Sequence, residues 1–86
     1  MNISFIGELE LPYIPKPKPC FLDTCEKYNF IDGRITYRAN NKYYQWDELH
    51  GEIEVYNKAG YHLGAIDAID GHYIKDADKG RKLNVR

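Results

Sequence analysis

Hydrophobic and polar residues alternate most clearly in Glu52-Ile53-Glu54-Val55-Tyr56, which puts Ile53 and Val55 on one face and the glutamates on the other, the period-two pattern of a strand. Two runs before it, Arg34-Ile35-Thr36-Tyr37 and Lys42-Tyr43-Tyr44-Gln45-Trp46, are rich in β-branched and aromatic residues, and Arg38-Ala39-Asn40-Asn41 between them reads as a hairpin connection. Asn57-Lys58-Ala59-Gly60 is turn chemistry, Tyr61–Ile66 the next strand, and Asp70-Gly71 turns the chain into His72-Tyr73-Ile74-Lys75. Short strands with a turn signal about every ten residues predict one strongly twisted antiparallel sheet of about five strands.

The chain before Gly33 reads differently. Leu11-Pro12-Tyr13-Ile14-Pro15-Lys16-Pro17-Lys18-Pro19 carries four prolines, which remove backbone donors and favour an extended, polyproline-like arm. Asp23 or Thr24 is placed to cap a short helical turn through Glu26-Lys27-Tyr28-Asn29, which Asp32-Gly33 ends. The expected fold is thus α+β and mainly β: a Pro-rich arm and short helix in residues 1–32, then the sheet and a basic tail in 33–86.

Composition narrows the class. A chain of 86 residues is one small domain. No run approaches the ~20 apolar residues of a membrane-spanning helix. Ile3, Phe5 and Ile6 lack the basic flank and long apolar stretch of a secretory signal, so a cytoplasmic protein is expected. Two cysteines, Cys20 and Cys25, cannot build a multi-bridge scaffold or complete a four-ligand zinc site, and free buried thiols are expected. Eight Tyr, three Phe and one Trp supply enough apolar area for a modest core. The net charge of −1 is unevenly spread, with −6 over residues 47–78 and +4 over residues 79–86. A basic tail fits a nucleic-acid contact and equally a solvated end.

The densest chemistry lies in Trp46-Asp47-Glu48-Leu49-His50-Gly51-Glu52-Ile53-Glu54. Extended backbone from His50 would project His50, Glu52, Glu54 and Tyr56 from one solvent-facing surface. A hairpin at Asn57–Gly60 would bring His62 across from Glu54. His50 lies four residues from Glu54, roughly 13 Å along a straight strand, unless Gly51 bends the chain. Carboxylates, imidazoles and an arginine are the groups needed to cleave RNA through its own 2′-hydroxyl: a base takes the hydroxyl proton, an acid protonates the leaving oxygen, and a cation stabilises the phosphorane. The same residues also describe the charged outer face of a half-buried sheet.

A longer pattern bears on that choice. Tyr44-x-Trp46-Asp47-x-x-His50-Gly51-Glu52-x-Glu54-x-Tyr56, followed by His62-Leu63-Gly64, resembles the cytotoxic ribonuclease domain of the ribosome-inactivating, rRNA-cleaving colicins and pyocins. The likeness runs from about Arg34 to Arg81 and is ungapped across the core motif; the Asn57–Gly60 turn is about one residue shorter than the family's. It implies a curved antiparallel sheet after a short helix, and a bacterial toxin with metal-independent endoribonuclease activity. The implied target is one phosphodiester in the decoding A site of small-subunit rRNA, cut to leave a 2′,3′-cyclic phosphate, with no cofactor.

Carried over by position, the resemblance makes Glu54 the general base with His50 and Asp47 as essential neighbours. His62 becomes a further active-site histidine and Arg81 the essential arginine. It also implies a tightly binding immunity or antitoxin protein and the small ribosomal subunit as partners, with no membrane partner. Tyr56 is the expected base-stacking residue, and Lys42, Lys79 and Lys82 the expected RNA contacts. Two departures stand out. The family is strongly basic, whereas here the net charge is −1 and Phe30-Ile31-Asp32-Gly33 replaces a basic stretch. No translocation or receptor-binding segment accompanies the domain, so the expectation is a freestanding intracellular toxin or a piece of a larger bacteriocin. Other expectations from the same residues are cleavage of tRNA or mRNA, or a catalytically silent module that binds RNA or protein.

Overall fold

A computed structural model describes residues 13–85. Six strands form one sheet in chain order, every neighbouring pair antiparallel: β1 (Glu26–Ile31), β2 (Arg34–Ala39), β3 (Lys42–Asp47), β4 (Glu52–Asn57), β5 (His62–Ile66) and β6 (Tyr73–Lys75). The strands expected from Arg34 onward are all present. Among the described residues no helix is long and apolar enough to cross a membrane.

The first third departs from expectation. Glu26–Asn29, expected as a helical turn, belongs to β1, so the sheet has six strands and begins before Gly33. Asp32 and Gly33 have φ of 52° and 81°, the left-handed pair of a two-residue hairpin turn, and here they join two strands rather than end a helix. The hydrogen-bonding edge of β2 recruits a segment already rich in aromatic and β-branched residues, which overrides its weak helical signal. The only helical turn among the described residues is a 3-10 turn at Phe21–Thr24. There the Asp23 carboxylate accepts from the Cys20 N–H at 2.9 Å, and Thr24 Oγ1 donates to the Phe21 carbonyl at 2.8 Å. Asn40 and Asn41, with φ of 53° and 60°, form the expected second hairpin. Leu11 and Pro12 lie outside the described residues; Ile14 to Lys16 fasten onto the sheet through Trp46 Nε1 on the Ile14 carbonyl and Lys16 Nζ on the Tyr37 hydroxyl.

Both faces of the central strands are covered. On one, Leu22 of the 3-10 turn and Ala68 close over Tyr37, Tyr44, Ile53, Val55 and Ile66. On the other, Ile31, Tyr56 and Leu83 pack together with Tyr28, Tyr43 and Val85. The surface expected to face solvent is therefore buried: Glu52, Glu54 and Tyr56 are 5%, 4% and 3% exposed. Over Glu54 and Tyr56 the cover is the C-terminal segment, which pairs with the start of β5, while Glu52 is held by Lys75 of β6. The His62 N–H donates to the Arg81 carbonyl, the Leu83 N–H donates to the Gly60 carbonyl, and Tyr61 bridges Lys82.

Gly60 fixes this closure. Its φ is 97°, and a Cβ there would lie 2.1 Å from the Leu83 carbonyl oxygen. Gly60→Ala must strain the turn and push the C-terminal segment off β5, at a cost of at least about 2 kcal/mol. For a domain of this size, the melting temperature is expected to fall by roughly 10 °C or more. A thermal melt that matches the parent chain would show that the segment is not held at this point.

Candidate active site

The β3–β4 connection is built around Asp47. Its Oδ1 accepts the backbone N–H groups of Leu49 and His50 at 3.0 and 3.3 Å, while the Gly51 N–H returns to the Asp47 carbonyl at 2.8 Å. His50 thus sits in a turn and not on extended backbone, and Gly51, at φ 69°, supplies the bend. The turn folds the imidazole back so that Nδ1 lies 2.7 Å from Asp47 Oδ2. With Nδ1–H on Asp47, Nε2 is the free nitrogen of a half-exposed ring. Arg34 also reaches Asp47 at 3.4 Å and Glu48 at 3.4 Å.

Glu54 lies on the same sheet face. His62 Nε2 is 2.6 Å from its Oε1, and Arg81 Nη1 donates to that same oxygen at 3.2 Å. Arg81 Nη2 donates to the Tyr56 hydroxyl at 2.8 Å. The Asp78 N–H donates to His62 Nδ1 at 2.8 Å, so the ring carries its hydrogen on Nε2, directed at Glu54.

The strand register explains how His62 arrives there. Directly opposite Glu54 is Ala65, not His62; His62 pairs with Tyr56, and Val55 with Gly64, leaving Leu63 as the extra residue of a bulge. Without that residue the alternation would send His62 to the opposite face. Gly64, at φ 138°, lets the Lys75 carbonyl of β6 approach to 2.3 Å of where a Cβ would stand. The run His62-Leu63-Gly64 is thus a device that turns a histidine toward Glu54 next to a close strand contact.

Asp47, His50, Glu54, His62 and Arg81 all line one cleft of about 240 Å³. Of the other polar groups there, Glu52, expected on this face without a role, holds Lys75 Nζ through Oε2 at 2.9 Å, while Asp76 and Asp78 carried no expectation. The Glu52–Lys75 pair joins β4 to β6, a contact that only strand order reveals. The expected RNA contacts are dispersed. Lys79 and Lys82 are exposed on either side of Arg81, with Lys82 Nζ 4.9 Å from the centre of the Tyr61 ring. Lys42 lies at the far end of β3 from Asp47, roughly 17 Å away along the strand. Tyr56 is buried, with its ring edge-on to His62 and its hydroxyl on Arg81, so it packs beneath the site and presents no open face.

Charge pairing governs this cleft. Burial alone would push the Asp47 carboxyl up, but the His50 ring and the Leu49 N–H outweigh it and hold it below its ordinary value. Burial raises the Tyr56 phenol, keeping it protonated beside Glu54. Burial works against the Arg81 charge, and the neighbouring Tyr56 and Glu54 more than offset it. Donor atoms of Asp47, His50 and Glu52 lie within 4.8 Å of one another, as do those of Asp67, Asp70 and His72 at the β5–β6 connection, so each group could hold a cation. Cys20 and Cys25 are free thiols.

A carboxylate, two imidazoles and a guanidinium brought into one cleft of an antiparallel sheet are groups able to perform acid–base chemistry of the kind used on phosphodiesters. The family model described as Cytotoxic matches residues 31–84. Colicin E3 of Escherichia coli is 36% identical over 84 residues, which is 95% of this chain and 14% of that protein. Cloacin of Escherichia coli is 44% identical over 43 residues, 49% of this chain and 8% of cloacin. The chain belongs to the Cytotoxic family, and it spans only a small part of the length of these two relatives.

Because the folded-state Asp47 value is depressed, its ionised form stabilises the fold above the unfolded carboxyl range, and that contribution is lost as pH falls through the folded value. Asp47→Asn is expected to lose about 1–3 kcal/mol at pH 7, with the gap from the parent chain closing in acid. Denaturant melts between pH 2 and 7 check this. A gap independent of pH would assign the loss to packing and not to charge.

Proposed function

We propose that this domain is a toxin that cleaves small-subunit rRNA in the decoding A site, without a metal, and so stops translation in the bacterial cytoplasm. The observation that carries the reading is Glu54 Oε1, held by His62 and Arg81 in the cleft that also receives the Asp47-oriented His50. Membership of the Cytotoxic family supports the substrate class.

In the proposed reaction Glu54 removes the 2′-hydroxyl proton, and the 2′-oxygen attacks the adjacent phosphorus. Arg81 stabilises the charge that develops on the phosphorane oxygens. His50, in its imidazolium form with Nδ1–H on Asp47, delivers the Nε2 proton to the departing 5′-oxygen. The P–O5′ bond breaks, leaving a 2′,3′-cyclic phosphate and a free 5′-hydroxyl. His62 is a positioning residue: it donates to Glu54 and fixes which carboxylate oxygen remains available. The proposed partners are the small ribosomal subunit and a cognate immunity protein that neutralises the toxin.

Purified protein incubated with intact ribosomes, followed by mapping of rRNA 3′ ends, tests the assignment. One new end in the decoding region is expected. Glu54→Gln should lower its rate of appearance by about 10²–10⁴-fold. Intact rRNA alongside cut tRNA or mRNA would redirect the substrate, and no cleavage of any RNA by folded protein would leave a binding module. A second prediction concerns metal: protein stripped of divalent ions with EDTA, then freed of chelator before it meets the ribosomes, should cleave as fast as untreated protein. Loss of activity that added divalent ion restores would instead assign a cation to Asp47, His50 and Glu52.

A further inference from the structure

The acid–base steps above use only one side of Arg81. On its other side lies a cavity of about 370 Å³, enclosed by β2, β3, β4 and the Gly80–Leu83 segment and lined by Arg34, Gln45, Tyr56, Arg81 and Lys82, with Asp32 the one carboxylate. That volume is within the range of small-ligand sites. Gln45 is 2% exposed and its amide is oriented by its surroundings. Nε2 donates to the Ile31 carbonyl at 3.0 Å and to Thr36 Oγ1 at 2.9 Å, while the Thr36 hydroxyl donates onward to the Arg34 carbonyl at 3.3 Å.

Both Nε2 hydrogens are therefore committed, and a flipped amide would set its oxygen against the Ile31 carbonyl oxygen. Gln45 Oε1 is left as a fixed acceptor with no donor among the described residues. A buried amide oxygen without a donor is uncommon in folded proteins and calls for a partner from outside. Gln45 is also the residue directly opposite Glu54 in the sheet, so this acceptor adjoins the proposed general base.

We propose that this cavity is a nucleotide subsite in which Gln45 Oε1 accepts an N–H from a nucleobase while Arg81 and Lys82 face the phosphate groups. The inference rests on the ribonuclease reading and adds to it a residue that selects the base. Nucleobases carry their amino and imino N–H donors at different positions, so an oxygen fixed in space distinguishes them, whereas guanidinium and ammonium contacts to phosphate do not.

An NMR titration of the folded protein with the four nucleoside 3′-monophosphates, and with ribose phosphate as the base-free probe, reads the subsite without any cleavage. The Gln45 side-chain amide and the Lys82 and Leu83 backbone amides are expected to shift saturably. Affinities should differ between bases by roughly three- to tenfold, the worth of one hydrogen bond. Lys82→Ala, at an exposed position, should weaken all four by a similar factor and preserve their rank order. No shift at Gln45, equal affinity for all four and for ribose phosphate, or a rank order that collapses in Lys82→Ala would overturn the proposal. If Glu54→Gln still cleaves while the titration succeeds, the general-base assignment falls and the subsite stands. If cleavage depends on Glu54 and the titration fails, the subsite alone falls.

Discussion

A carboxylate in the middle of a covered sheet must be compensated, and Glu54 is that carboxylate. It is 4% exposed and lies between Ile53 and Val55, which are fully buried on the opposite face. An unpaired charge in that position would cost several kcal/mol, so its partners are structural requirements before they are chemical ones. Those partners come from distant parts of the chain: His62 from β5, rotated into place by the bulge at Leu63, and Arg81 from the C-terminal segment. That segment is pinned by Gly60 on one side and by the His62 N–H on the other, so the backbone bonds that position Arg81 also place His62. Folding the C-terminal segment onto the sheet and completing the site are one event.

Much of this was readable in the residues. The alternation in Glu52–Tyr56 separated Ile53 and Val55 from the glutamates, and the Asn40-Asn41 pair marked a hairpin because asparagine tolerates the left-handed backbone. Four of the five expected catalytic residues, Asp47, His50, Glu54 and His62, share a cleft because a turn and a hairpin bring them there, both signalled by Gly and Asn positions; Arg81 arrives with the C-terminal segment. What could not be read depended on partners outside the local pattern. Glu26–Ile31 is a strand because β2 offers it an edge, and Asp32-Gly33, taken as a helix terminator, is the turn that allows it. Periodicity assigns residues to a face but does not say what covers it, so Glu52, Glu54 and Tyr56, expected to meet solvent, are buried, the last two beneath the C-terminal segment. The bulge at Leu63 is invisible to a strict period of two, which is why His62 reaches Glu54 diagonally and not from the opposed position.

Electrostatics close the argument, because the cleft is lined by Asp47, Glu52, Glu54, Asp76 and Asp78 against Lys75 and Arg81. Such a surface would repel a phosphate were its carboxylates unpaired. Asp47 is engaged by His50 and Arg34, Glu52 by Lys75, and Glu54 by Arg81, so the strand-borne carboxylates are neutralised locally. Beside Arg81 two further cations, Lys79 and Lys82, are exposed. Under the proposed function a polyanion would approach from this side and meet Arg81, the residue shared between the candidate cleft and the neighbouring cavity. The Arg81–Glu54 pair thus answers a folding requirement and, under the proposed function, stands where the phosphate would be met.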